Sequence, residues 1–174
     1  MLSLAALANW ESAVLASIGG AAGTADERDA QITRSGMYAE YPAIFNAYVA
    51  MLEISDEPAA ALEALKRVVF LAWFSFTAPS IESGLSELPE SSVRRVMRQL
   101  DAAIAAGRVD EELRDMLATY RLKFGYVFDH FGPVRSLDAF VAGASRTAAN
   151  VSPTTLAERG QMGAYWRRSR ATGG

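Results

Sequence analysis

The stretch Asp56–Thr77, DEPAAALEALKRVVFLAWFSFT, decides the fold. Asp56 is placed to cap a helix, and Pro58 stands in its first turn, where a missing N–H removes no hydrogen bond. Leu62, Leu65, Val69, Trp73 and Phe76 recur at helical spacing, while Val68, Phe70 and Leu71 cover other faces. A helix that is apolar nearly all round has to be enclosed on several sides. The spacing therefore predicts a central buried helix over about 56–77. Trp73, Phe74 and Phe76 are read as core on the same ground, with a ligand pocket near Trp73 as the alternative.

Upstream, Leu4, Leu7, Val14, Leu15 and Ile18 share one face of a first helix, which Gly19-Gly20 stops. Glu11 falls in the middle of that face. Thr24-Ala-Asp-Glu27 fits a capping box and opens a short polar helix to about Ser35. Pro42 sits in the first turn of the next helix, whose stripe is Tyr41, Ile44, Phe45, Tyr48 and Leu52. Downstream, Thr77–Pro89 has the Pro, Ser and Gly of a connector. A helix from about Glu90 to Ala106 turns Val93, Val96, Met97, Leu100 and Ile104 inward. Asp110 caps another, whose apolar residues keep helical spacing from Leu113 to Phe131, where Gly132-Pro133 ends it. The short turn between them predicts an antiparallel pair over about 90–131. Ser136 starts a short helix, and Ser152-Pro153 starts another that Gly160 is expected to end.

No segment alternates apolar and polar residues over any length. The expected fold is all-α: a single-domain bundle of five or six helices over residues 1–157, then a basic aromatic tail over 158–174. The tail holds the stretch GQMGAYWRRSR, Gly160 to Arg170.

The chain has 174 residues, enough to bury a core without covalent staples. Its net charge of −3 is unevenly placed, because Arg159, Arg167, Arg168 and Arg170 stand against Glu158 in residues 158–170. The body is acidic and the tail basic. A nucleic-acid binder would want a basic face, and the acidic turn Asp110–Asp115 would repel phosphate if that helix entered a groove, so no nucleic acid is expected as a partner. The longest strongly apolar run, Val68–Phe74, is far short of the ~20 residues a membrane span needs, and the N-terminus lacks the basic start of a secretion signal. A cytoplasmic protein is expected. Fifteen arginines against two lysines, with abundant alanine, is the composition of a GC-rich bacterial genome.

The chemistry open to the chain is narrow. With no cysteine there is no disulfide, thiolate metal site or thiol nucleophile. His130 is the single histidine, which rules out paired Glu-x-x-His motifs and a His-Glu-x-x-His zinc site. There is no Gly-x-Ser-x-Gly elbow and no Gly-x-x-x-x-Gly-Lys phosphate loop. No cofactor or metal is expected, although a carboxylate-only magnesium site leaves little trace in sequence. Three residues remain as catalytic candidates. Glu11 is a carboxylate on an apolar face, either paired or carrying a raised pKa. Glu82 sits in the connector, where a cleft lip is one reading and an ordinary turn the other. His130, in the last turn of its helix, suits the helix C-terminus as a plain structural residue.

Two functions follow as expectations. The first is a non-enzymatic helical interaction protein (an adaptor, immunity or antitoxin-type partner, regulator or assembly component) that binds a protein partner or a second subunit, a homodimer included. Tyr165, Trp166, Arg167, Arg168 and Arg170 are its candidate contacts, being of the types enriched at binding hot spots. The reading preferred for the tail itself is that Tyr165 and Trp166 fold back against the chain's own helices, with Arg167 and Arg168 meeting surface acids, and docking on a partner or second subunit is the alternative. The second function is a small helical enzyme or ligand-binding domain with a pocket near Trp73, using Glu11, Glu82 or His130. A cleft lined by two of those three would favour the second. A closed core with an exposed aromatic surface would favour the first.

Overall fold

A computed structural model describes residues 3–144 and 156–171, and Arg170 and Ala171 for their backbone alone. Within them lie ten α-helices and no strand. They are α1 (Leu4–Gly19), α2 (Ala25–Arg34), α3 (Glu40–Ile54), α4 (Pro58–Phe74), α5 (Ser80–Ser83), α6 (Glu90–Ala105), α7 (Glu111–Phe124), α8 (Tyr126–His130), α9 (Leu137–Val141) and α10 (Gly160–Ala171). The fold is all-α, as the periodicity predicts, and holds more helices than the five or six expected because α5, α8 and α9 are short.

Local chemistry sets most of the starts. The Ser3 side chain accepts from the Ala6 N–H at 3.1 Å and caps α1. Thr24 and Glu27 form the expected capping box at the head of α2. Asp110 accepts from the Leu113 N–H at 2.9 Å and caps α7. At α4 the expectation fails by one turn of chemistry: Ser55, rather than Asp56, holds the approach, its hydroxyl accepting from the Glu57 N–H at 3.3 Å. The far end of α4 also differs. The helix closes at Phe74, and Ser75 turns its hydroxyl onto the Ala72 carbonyl at 2.9 Å. Phe76 is thereby carried out of the core.

α4 is the centre. Ala64, Leu65 and every residue from Val68 to Trp73 are buried. It packs on α3, α6, α7 and α10. Fully burying one side chain of this kind contributes about 1.5–3 kcal/mol. The helix expected to run unbroken from Asp110 to Phe131 divides at Gly125 into α7 and α8. Arg121 donates to the Gly125 carbonyl at 2.9 Å there and takes up an acceptor at the junction. The division expected near residue 157 is absent from the packing: α10 lies on α1 and α4, with Met162 and Trp166 in the common core. Gly160 opens this helix instead of ending one. The start expected at Ser152-Pro153 lies outside the described residues.

Candidate functional site

Polar side chains gather at two places, one largely buried and one open. The buried one lies where α10 meets α1, α3, α4 and α7. Glu11 is 1% exposed; its carboxylate accepts from the Tyr48 hydroxyl at 2.7 Å and from the Gln161 N–H at 3.0 Å. Burial pushes the Glu11 carboxyl up to about 7, against the pull of Tyr48, Gln161 and the Arg67 charge. Gly160 makes this approach feasible. Its φ of +54° is left-handed, and a Cβ there would stand 2.5 Å from a Glu11 oxygen.

Next to it runs an ion-pair chain. Arg67 donates to the Tyr48 hydroxyl at 3.0 Å, to Glu63 at 2.8 Å and to the Leu4 and Glu158 carbonyls at 3.0 and 3.1 Å. Arg159 forks across Glu63 and Glu112, with both Glu112 contacts at 2.7 Å. Lys66 completes the chain between Glu112 and Asp110, the latter at 2.6 Å. Burial would raise the Glu112 carboxyl, but the hydrogen bonds from Arg159 and Lys66 outweigh it and hold the group near 2. Each buried charge has a partner, which is the condition for a charge to sit there at all. Gln161 adds a 2.8 Å bond to the Ser83 carbonyl, and Trp166 donates to the Tyr120 hydroxyl at 3.1 Å.

The open place is aromatic. Phe76, Phe124 and Tyr126 are 44%, 41% and 54% exposed. The Tyr126 hydroxyl donates to the Phe76 carbonyl at 3.2 Å, and the Phe124 and Tyr126 rings meet edge to face at 6.4 Å. Phe76 packs on Phe131 at 5.0 Å and faces His130 at 6.5 Å. A groove of about 530 Å³ starts here, walled by Phe76, Leu85, Leu88 and Phe131 with Glu87, Glu90 and His130 among its lining. Arg94 reaches two of its lining residues: its guanidinium lies 5.9 Å from the Phe131 ring centroid and 2.6 Å from Glu90. A larger groove of about 720 Å³ lies between the α3–α4 and α6–α7 turns, floored by Leu52, Leu62 and Leu65.

The three catalytic candidates part company. Glu11 is sealed inside, Glu82 is exposed on α5, and His130 is exposed in the aromatic groove, which neither of the others lines. Trp73 is 1% exposed, stacked on Tyr120 at 4.4 Å, and lines neither groove. Among the tail residues, Trp166 is 1% exposed in the chain's own core and Tyr165 is half-buried against Phe70, Trp73 and Phe74. Arg167 and Arg168 are exposed, and the Arg170 side chain lies outside the described residues. Sequence reasoning missed the Glu63–Arg159–Glu112–Lys66 chain and the surface role of Phe76. The one available signal was Lys66-Arg67 itself, two cations in a helix otherwise apolar all round.

Among the described residues no group of three or more His, Asp or Glu side chains is placed to hold a metal ion. No helix among them is long and apolar enough to cross a membrane. Fold and site together define an all-helical single domain, locked inside by ion pairs and open at one aromatic surface. No family model, no curated protein and no solved structure matches the chain.

Proposed function

We propose that this is a non-enzymatic interaction protein of the cytoplasm, binding a protein partner through the Phe76–Phe124–Tyr126 surface. The observation that carries the reading is the pairing of a largely closed interior with three exposed aromatic rings, Phe124 and Tyr126 in contact with each other and Phe76 packed on Phe131. Contiguous exposed apolar surface marks interaction sites, and aromatic side chains dominate binding hot spots. The rings are held in place before binding, which reduces the ordering that association would otherwise require. The tail supports the body in this reading and does not do the docking.

The test is a crosslinking pull-down from the native host with the wild-type chain and with Phe76→Ala/Tyr126→Ala. Circular dichroism and the melting temperature establish that the variant is folded. A partner recovered by the wild type and lost by the variant supports the reading. Recovery of the same proteins by both removes this surface as the docking element.

A further inference from the structure

We infer that the groove beside Phe76 docks a partner segment carrying an arginine next to a bulky aliphatic residue, the guanidinium lying on the Phe76 ring and pairing with Glu87. The inference rests on the interaction reading above and adds the chemistry of the occupant.

The groove's charge is the first argument. Among the described residues its lining holds two carboxylates, Glu87 and Glu90, between the apolar walls Phe76, Leu85, Leu88 and Phe131; Arg94 beside it already pairs with Glu90, which leaves the exposed Glu87 to set the groove's charge. A segment that brings cations to this rim and apolar bulk to these walls is complementary to it in both respects.

The second argument is that the molecule already contains the contact. Arg94 sets its guanidinium 5.9 Å from the Phe131 ring centroid and reaches Glu90 at 2.6 Å. One arginine thus spans a groove ring and a groove carboxylate. The same combination recurs inside, where Arg67 lies 5.6 Å from the Tyr48 ring centroid and 2.8 Å from Glu63. Phe76 and Glu87 line the same groove and are both exposed. They place a ring and a carboxylate on one groove, to which an incoming cation would add the third member. Arginine suits this better than lysine, because its flat, weakly hydrated fork stacks on a ring while its edge donates to a carboxylate. The apolar wall of Leu85 and Leu88 then takes the neighbouring aliphatic side chain.

His130 supplies the readout. It is the chain's single histidine and it lines this groove, so its ring-proton NMR signals report occupancy without overlap. The probes are the capped peptide acetyl-Gly-Leu-Arg-Arg-Leu-Gly-amide and its twin with citrulline, a neutral isostere, at both arginine positions. The full chain is titrated with each, as wild type and as Glu87→Gln, a substitution at an exposed carboxylate that leaves the core intact. The arginine peptide is expected to shift the His130 signals saturably and to bind about fivefold or more tightly than the citrulline peptide. In Glu87→Gln that preference shrinks toward parity. Equal binding of the two peptides, or no shift of His130 up to about 10 mM peptide, the weak end of specific recognition, overturns the inference. Sedimentation showing that a second copy of the chain fills the groove, dissolved by Phe76→Ala, overturns it as well. These outcomes are separable from the wider reading: a host partner still lost on Phe76→Ala/Tyr126→Ala leaves an interaction protein whose partner is not recognised through arginine.

Discussion

At the scale of single residues, the sharpest constraint is the meeting of Glu11 with Gly160. Any side chain at 160 strains a left-handed backbone and collides with the carboxylate 2.5 Å away. Gly160→Ala is expected to destabilise the fold by about 2 kcal/mol or more, read by urea unfolding. Glu11 itself gives stability a pH slope. The folded carboxyl keeps its proton up to about pH 7, whereas the unfolded one releases it near 4.5. Between those values the folded state binds more protons, so this stabilisation is full below pH 4.5 and is lost as pH rises toward 7. The groups facing Glu11 are Tyr41 and Tyr48 from α3, Arg67 from α4 and the Gln161 N–H from α10; the tyrosines are pushed up by burial and stay neutral through this range. Unfolding free energies at pH 5 and pH 8 should fall by at most about 3 kcal/mol in the wild type. Glu11→Gln should remove most of that fall. An unchanged slope in the variant would place the titration on another group.

At the scale of elements, α10 is the test case. Its polar contacts are numerous, yet Trp166 and Met162 carry its burial. Trp166→Ala should cost about 3–5 kcal/mol, with loss of the near-ultraviolet signal of the packed aromatics around Tyr120. Arg159→Ala should also be destabilising, because it takes the shared guanidinium from the half-buried Glu63 and Glu112, which keep Arg67 and Lys66, at about 2–4 kcal/mol. Arg159→Lys, which keeps the charge but loses the fork across both glutamates, should recover part of that loss, and calorimetry distinguishes the two outcomes.

The elements also show what the sequence makes legible. The Thr24 box and the Asp110 cap could be read because donor and acceptor lie three residues apart. The buried stripe of α4 could be read because burial repeats with the helix. The end of α4 could not, since Phe76 keeps helical spacing after the backbone has left the helix. Gly160 misled for a physical reason: a left-handed glycine follows a helix far more often than it opens one. Of the polar interior the sequence shows the members, Glu11 on an apolar face and Lys66-Arg67 in an apolar helix, but not most of the pairings. Arg159 and Glu63 are 96 positions apart, and Lys66 and Glu112 are 46. Of the candidate site, His130 was visible as a lone residue, whereas the ring and carboxylate beside it come together only through the fold.

At the scale of the whole molecule, interior and surface divide their roles. The interior uses its charges for closure, and none of its ion pairs lies at the aromatic groove. Substituting the exposed rings should therefore leave stability within about 0.5 kcal/mol of the wild type, since surface changes away from caps and networks seldom do more. Phe76→Ala, Tyr126→Ala and their combination can be compared by thermal melting. A large drop in melting temperature would show that the groove is part of the structural frame after all.

One consequence of the α1–α10 contact concerns how the protein is made. Glu11 and the Gln161 N–H that it accepts are 150 positions apart. On a ribosome, α1 emerges long before α10 exists, so a growing chain presents Glu11, Tyr48, Arg67 and Tyr120 without the helix that covers them. Contacts this distant in sequence form late and slow the final step of folding. The body then waits with a half-built groove of apolar and charged side chains, the kind of surface on which chaperones act and neighbouring chains aggregate. Synthesis that pauses or stops short of α10 would leave a species unlike either the native protein or a random coil: a helical body still missing its last wall.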